Sequence, residues 1–225
     1  MKFYSLLPLA AAARAGDQIP LRLANPKPAM GKVQDELKKA EIIPTVIDDF
    51  VPSMALEAKW SDEVFASLGN TLKVDTVQKE PTITMQFDES LVNLNKPGVT
   101  YAITITDPDA PSRDDPKWSE FCHFIATGVT SSSSSDTQLS LDGYSLDDVV
   151  PYKPPGPPPK TGKHRYVFLL FTPTNGTTEA LNLTKPDDRK HWGTGKERHG
   201  VRDWALKNGL EPVAANFIYA QNEKQ

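Results

Sequence analysis

Hydrophobic and polar positions alternate through the middle of the chain. Residues 82–88 and 101–106 each place an apolar side chain at every second position. The apolar members are Ile83, Met85 and Phe87 in the first segment and Tyr101, Ile103 and Ile105 in the second. A period of two residues is the pattern of a β-strand with one face against a core. Both segments are therefore predicted to be strands.

Four further segments favour strands. Residues 55–60, 121–129 and 213–219 are rich in apolar side chains, and the last of them is predicted to close the sheet system. Residues 166–171 (YVFLLF) are apolar without interruption. Because an uninterrupted run has no polar face, this segment is predicted to be a central strand buried on both sides.

Two short segments favour helices. In residues 32–43 the apolar positions recur at helical spacing until Pro44 ends the run. Residues 201–208 form the second predicted helix, with Trp204 facing inward and Gly209 as the C-terminal stop.

Two loops are predicted between these elements. Residues 130–140 include five consecutive serines and are predicted to be solvated. Residues 151–159 contain six prolines, which lack the N–H donors that a strand ladder requires.

Composition agrees with a β-rich chain and excludes some functions. The 225 residues include 13 Gly and 20 Pro, as is usual for short strands joined by shaped loops. Lys and Arg number 25 against 29 Asp and Glu, so there is no basic excess of the kind that binds nucleic acid. Cys122 is the single cysteine, which excludes an intramolecular disulfide and a multi-cysteine metal site.

The first fifteen residues have the pattern of a secretory signal peptide. Lys2 precedes an apolar stretch that ends in the small-x-small sequence Ala13-Arg14-Ala15. A mitochondrial presequence and a disordered tail are the alternatives.

We therefore predict a signal peptide at 1–15, a flexible segment at 16–31 and one domain at 32–225. The predicted location is the secretory pathway, leading to the extracellular space or the vacuolar lumen, and a cytoplasmic location is the alternative. In the secretory pathway the sequons at Asn175 and Asn182 become glycosylation acceptors.

Polar side chains occur where predicted strands end. Asp107 and Asp109 follow the strand at 101–106, and a turn is the simplest interpretation because Asp and Pro are good turn formers. His123 lies inside the strand at 121–129, where alternation places it on the opposite face from Cys122 and Phe124. A single strand histidine is more often structural than catalytic.

A rigid proline-rich loop leads into the central strand. Alternation sends His164 and Tyr166 to one side of that strand and Arg165 to the other. An imidazole and a phenol then face the same space, while Arg165 is placed to pair with an acid such as Asp107 or Asp109.

Taken together, these motifs resemble the phosphatidylethanolamine-binding protein family. The motifs are DPDAP at 107–111, CHF at 122–124, and GPP at 156–158 leading to GKHRY at 162–166. The resemblance spans roughly residues 40–220 and is strongest to fungal members that inhibit a serine carboxypeptidase. It implies a mainly β fold, an antiparallel β-sandwich with a few short peripheral helices.

The resemblance also implies a pocket for a phosphate-bearing ligand. By motif, its residues are Asp107, Pro111, Trp118, His123, Gly156, Pro157, His164 and Tyr166, with Asp109 and Arg165 in support. A phosphate oxygen would accept hydrogen bonds from the tyrosine hydroxyl and a histidine N–H. Asp107 would repel that anion unless it stays protonated or is held by Arg165 and a histidine.

The implied partners are a phospholipid head group or small anion and a serine carboxypeptidase. We expect a monomer with peripheral membrane contact at most, and no nucleic acid, cofactor or metal. Residues 1–30 show no evident counterpart of the N-terminal segment with which the inhibitors contact the protease.

Three other functions remain open. One is a ligand-binding signalling modulator without protease inhibition. Another is a hydrolase in which Asp107 or Asp109 with His123 acts as general base, although the chain has no Gly-x-Ser-x-Gly or His-Glu-x-x-His motif. The third is an interaction module whose pocket is vestigial.

Overall fold

The computed structural model describes residues 26–87, 97–130, 138–141 and 146–225. The predicted signal peptide at 1–15 and the five consecutive serines lie outside these residues. Within them, neither α-helix is both long and apolar enough to cross a membrane.

Two β-sheets make up the body of the described structure. Their strands are β1 (Met54–Lys59), β2 (Asn70–Thr71), β3 (Thr82–Phe87), β4 (Thr100–Asp107), β5 (Phe121–Thr130), β6 (Gln138–Leu141), β7 (Asp147–Val150), β8 (Lys163–Pro173) and β9 (Leu210–Gln221). The small sheet has the order β1-β3-β6 and the large sheet the order β2-β9-β8-β4-β5-β7. Neighbouring strands run antiparallel, except that the two-residue strand β2 pairs with β9 in parallel. The mainly β prediction is confirmed.

The central strand β8 separates two hydrophobic cores. Tyr166, Phe168 and Leu170 pack toward the small sheet, in a core that also holds Met85. The alternate residues of β8 pack with Leu37 and other residues of the helical layer. The prediction that residues 166–171 form a strand buried on both faces is therefore confirmed, because one face meets a sheet and the other meets helices.

Helices α1 (Pro26–Lys39) and α2 (Val201–Lys207) cover the outer face of the large sheet. Helix α1 begins six residues before the predicted start, because proline is tolerated in the first turn, where N–H groups have no helical partner. Two residues beyond its end, Glu41 adopts the left-handed region at φ 55°. The N–H groups of Glu41 and Ile42 donate to the carbonyls of Lys38 and Leu37, which closes the last turn.

The second predicted helix has nearly the predicted limits. Trp204 is buried against the large sheet, as predicted. Gly209 adopts φ 64° just beyond the helix, a conformation that glycine reaches without strain.

Three short strands were not predicted correctly. Residues 138–140 were predicted to be loop but belong to β6, which pairs with β3 in the register Met85↔Leu139. Strands β2 and β7 have two and four residues, too few to show a clear period of two. Pairing with a longer neighbour, rather than the local pattern, decides these elements.

Candidate functional site

The predicted site lies where β4 ends and β5 and β8 begin. Antiparallel pairing places Asp107, the last residue of β4, opposite Phe121, the first residue of β5. The same arrangement brings Thr106 opposite Val167 near the start of β8. Residues far apart in sequence therefore meet at one end of the large sheet.

Asp107 is buried and pairs with His164. Its Oδ2 atom lies 2.8 Å from His164 Nδ1, and its Oδ1 atom accepts the Asp109 N–H at 2.7 Å. The Nε2 atom of His164 lies 3.0 Å from the Thr161 hydroxyl, and that hydroxyl donates its hydrogen to the Pro158 carbonyl at 2.8 Å. Since the hydroxyl has only one hydrogen, it must accept from His164 Nε2–H.

One proton is consequently shared between His164 Nδ1 and Asp107. Whichever atom holds it, the pair carries no net charge. The repulsion that an unpaired Asp107 would exert on an anion is thus removed, and the group that removes it is His164 rather than Arg165.

Arg165 faces the other side of β8 and pairs with Asp109. Its Nε and Nη2 atoms donate to the two carboxylate oxygens at 2.9 and 2.5 Å. Its Nη1 atom donates to the carbonyls of Ala40 and Glu41 at 2.7 and 3.1 Å. These carbonyls lie directly after α1, at the negative end of the helix dipole, which favours a cation. Arg165 therefore ties the site to α1.

A β-bulge decides the direction of His123. Ile105 pairs with Phe124 and Thr106 with Cys122, so His123 is an extra residue in β5. A bulge of this kind interrupts the alternation of faces. His123 lies 5.1 Å from Tyr166, ring centre to ring centre, and Phe124 belongs to the same core as Tyr166. The prediction that His123 and Phe124 face opposite sides was wrong, whereas Cys122 does lie in the other core.

His123 offers one ring nitrogen for a ligand. Its Nδ1 atom lies 2.7 Å from the Lys153 carbonyl, which can only accept, so Nδ1 carries a hydrogen. Among the described residues, Nε2 has no hydrogen-bond partner. Burial lowers the pKa of His123, and the nearby Asp107 carboxylate opposes that shift.

Tyr166 lies between the two histidines. Its ring is stacked on that of His164 at 6.4 Å and meets that of His123 edge-on. Burial raises the pKa of Tyr166 far above its ordinary value, and the backbone of Gly156 opposes that shift. The phenol therefore stays protonated and keeps its hydrogen for another acceptor.

Three other predicted residues have contacts of their own. Pro111 follows a cis peptide bond, and the preceding Ala110 carbonyl accepts the Trp118 N–H at 3.0 Å. Trp118 is half-buried, with Lys190 Nζ 4.5 Å from its ring centre. Pro157 is buried, and its carbonyl accepts from Asn222 at 3.1 Å.

Sequence reasoning missed three residues that position the cluster. Thr161 fixes the second nitrogen of His164. The Phe121 ring lies 5.1 Å from that of His123. Arg189 donates to the carbonyls of Cys122, His123 and Pro151 at 3.0, 3.1 and 2.7 Å, and so joins β5 to the proline-rich loop. Only Phe121 gave a sequence signal, as an aromatic residue two positions from the histidine.

The described structure is a two-layer β-sandwich. At one end of its large sheet lies a buried cluster of four side chains, called here the His–Asp–Tyr cluster: Asp107, His123, His164 and Tyr166. These two features define the structural class. Residues 62–218 match the family described as phosphatidylethanolamine-binding protein, and the chain belongs to that family.

Two relatives align with this chain over most of their own length. The chain is 34% identical over 208 residues to the carboxypeptidase Y inhibitor of Saccharomyces cerevisiae, covering 84% of this chain and 94% of the inhibitor. It is 28% identical to the CEN-like protein 1 of Nicotiana tabacum, covering 85% of this chain and 95% of that protein.

Solved structures have the same fold. A crystal structure of carboxypeptidase Y inhibitor complexed with the cognate proteinase matches with a TM-score of 0.78 and 32% identity, covering 86% of this chain and 97% of that one. The phosphatidylethanolamine-binding protein of Plasmodium vivax matches with a TM-score of 0.67 and 22% identity, covering 84% and 97%.

Proposed function

We propose that this protein is a non-enzymatic inhibitor of a serine carboxypeptidase of the carboxypeptidase Y type. The observation that carries the proposal is the extent of the similarity to that inhibitor. It reaches 94% of the inhibitor's length in sequence, and 97% of the inhibitor chain in the structure of the complex with its proteinase.

Inhibition of a purified carboxypeptidase Y tests the proposal. The full chain is mixed with the protease, and hydrolysis of a blocked dipeptide substrate is followed. We expect activity to fall in proportion to added protein and to be lost near an equimolar ratio. Full activity at a tenfold molar excess of intact inhibitor, checked by electrophoresis, would contradict the proposal.

A second function is favoured by the His–Asp–Tyr cluster. We propose that it binds the head group of a phospholipid, or a small phosphate-bearing molecule. Three features support this: the Asp107–His164 pair is neutral, Tyr166 has a hydroxyl hydrogen to donate, and Nε2 of His123 has no partner among the described residues. His123 retains 5% exposure, the largest value of these four side chains, so the ligand is expected to approach there.

The charge of a phosphoethanolamine head group suits this cluster. Its phosphate oxygens accept from the Tyr166 hydroxyl and from His123 when that ring is protonated. Because the Asp107–His164 pair carries no net charge, it does not repel this phosphate. A phosphate group therefore matches the donors that this cluster offers.

Calorimetry with O-phosphoethanolamine tests this second function. We expect binding that weakens at least tenfold in His123→Ala and in Tyr166→Phe. The matched control is His199→Ala, since His199 forms a similar pair with Asp203 at the surface. Equal affinity in His123→Ala and the unchanged protein would exclude the cluster as the binding site.

A hydrolytic role for Asp107 and His123 has less support. Asp107 pairs with His164, and the Nδ1 atom of His123 pairs with a carbonyl. The carboxylate and the imidazole that a hydrolase would use therefore have other hydrogen-bond partners.

The secretory location also remains a proposal, which N-terminal sequencing tests. A mature chain that begins near Gly16 would support it, and recovery of an intact Met1 would favour the cytoplasm.

A further inference from the structure

A cavity lies on the opposite side of β8 from the His–Asp–Tyr cluster. Its volume is about 150 Å³, and three arginines line it: Arg113, Arg165 and Arg198. Asp109 and Glu41 supply the acidic part of the lining. The two sites are separated by the strand end at which His164 turns one way and Arg165 the other.

The charges of this lining do not cancel. Arg165 is matched by Asp109 in the buried floor, and Arg113 is matched by Glu41 at the rim, where Nη2 lies 2.7 Å from Oε2. Arg198 is the third cation of the lining. Its closest acid is Glu197, which does not line the cavity and lies 3.5 Å away at an exposed position. The lining therefore has one positive charge in excess.

Ser119 is the candidate donor in the floor of this cavity. It lines the cavity and is completely buried, yet its hydroxyl has no partner among the described residues. Its backbone is held on both sides, since its N–H donates to the Pro116 carbonyl and its carbonyl accepts the Arg198 N–H, each at 2.7 Å. A buried hydroxyl without a partner is unfavourable, and a bound acceptor removes that cost.

We propose that this cavity binds a tetrahedral oxyanion, either inorganic phosphate or the phosphoryl group of a small molecule. Ser119 donates from the floor, and Arg113 and Arg198 donate from the rim, as suits the geometry of guanidinium and phosphate. The space is limited. Because one water takes about 30 Å³ of the liquid, the cavity holds roughly five waters, which suits one oxyanion with its residual hydration.

The hydrogen bond from the Arg198 N–H to the Ser119 carbonyl couples the floor of the cavity to its rim. The backbone of Arg198 is attached to Ser119, so the donor in the floor and the cation at the rim belong to one connected unit. An oxyanion that contacts both is expected to order the loop that carries Arg198.

Amide NMR spectra of the full chain, recorded during titration with inorganic phosphate, test the proposal. We expect saturable shifts for the amides of Ser119 and Arg198, with the same midpoint in His123→Ala. That variant separates this site from the proposed head-group site, so either proposal can fail without the other. A second titration with O-phosphoserine distinguishes free phosphate from a phosphoryl group on a larger molecule.

Two variants identify the cavity as the site. Ser119→Ala and Arg198→Ala should each raise the midpoint at least fivefold, and Ser119→Ala should leave the thermal midpoint of unfolding unchanged or higher. Arg202→Ala is the matched control, because Arg202 pairs with Asp48 and does not line the cavity.

The outcomes are distinct. Saturable shifts whose midpoint rises in Ser119→Ala and in Arg198→Ala support an oxyanion site. Absence of saturable shifts for both amides up to the solubility limit of phosphate would overturn the proposal. Equal midpoints in Arg198→Ala and Arg202→Ala would overturn it as well.

Discussion

His164 Nδ1 lies 2.8 Å from Asp107 Oδ2, although 57 positions separate the two residues. The pair joins the end of β4 to the start of β8, and both side chains are almost fully buried. A second pair with the same atoms, His199 Nδ1 and Asp203 Oδ2 at 2.7 Å, lies half-exposed at the surface. The molecule therefore contains two His–Asp pairs that use the same atoms, one buried and one at the surface.

Asp107→Asn tests the energetic value of the buried pair. The substitution keeps the shape of the side chain and removes its charge, which leaves His164 without a carboxylate in a region of low dielectric. We expect the free energy of unfolding to fall by about 3 kcal/mol. Urea denaturation at pH 6.5 is the measurement.

The surface pair is the control for that experiment. Asp203→Asn should change the free energy of unfolding by no more than about 0.5 kcal/mol, because solvent screens an exposed pair. Equal losses in the two variants would show that burial does not determine the strength of the contact.

The pH dependence of ligand binding should depend on His123. Burial lowers the pKa of this histidine in the free protein, and a bound phosphate raises it again. The affinity for O-phosphoethanolamine is thus highest below the lowered pKa and falls as pH rises through the neutral range.

Calorimetry from pH 5 to pH 8 measures this dependence. His123→Ala should abolish the slope, whereas His199→Ala should retain it. An affinity that increases with pH would show that a protonated His123 does not hold the phosphate.

Glu120 should lower stability as pH rises. Burial raises its pKa to about 8, and one of its carboxylate oxygens has no partner among the described residues. Between about pH 4.5 and 8 the unfolded chain has lost this proton while the folded protein retains it. Unfolding then releases a proton, so the free energy of unfolding falls with pH, by at most about 1.4 kcal/mol per pH unit.

Glu120→Gln should remove that contribution. We expect the variant to gain stability relative to the unchanged protein as pH rises from 5 to 8, in denaturant titrations at each pH. Glu57→Gln, at an exposed position of β1, is the control and should give a constant difference. A constant difference for Glu120→Gln as well would mean that the carboxyl is not protonated in the folded state.

Replacement of two glycines by alanine should change the free energy of unfolding in opposite directions. A Cβ atom at Gly200 would lie 2.8 Å from Trp192 Cδ1 and 2.9 Å from Glu120 Cβ, so Gly200→Ala should cost about 1–3 kcal/mol. At Gly31, inside α1, a Cβ would meet nothing within 4 Å, and Gly31→Ala should stabilise the protein by about 0.5–1 kcal/mol. Thermal unfolding of both variants checks the sign, and a loss in Gly31→Ala would contradict the packing described for α1.

The local pattern of the chain was enough to predict most of the framework. The alternation in residues 82–87 matches the observed β3, in which Ile83, Met85 and Phe87 are buried. The uninterrupted run at 166–171 predicted a strand between two layers, because burial of both faces leaves no place for a polar side chain. Gly209 was predicted as a helix stop for a reason that depends only on its own backbone.

The motif residues also indicated one sheet end as the candidate site. Asp107 at a strand exit and His164 at a strand entrance are signals that antiparallel pairing brings together. What alternation could not specify was the exact pairing of the strands. The bulge that places His123 on the side of Tyr166 arises from the register between β4 and β5, which no residue of β5 encodes alone.

The partners of the charged groups were likewise decided by tertiary structure. From the sequence, Arg165 could pair with Asp107 or with Asp109, since both acids are at a similar chain distance. The choice of Asp109 follows from the direction of β8 and from the carbonyls of Ala40 and Glu41, which lie in the turn after α1, more than a hundred positions away. Periodicity is a local property of the chain and determines which face a residue takes. Register and pairing depend on contacts between distant segments, and these exist only once the chain has folded.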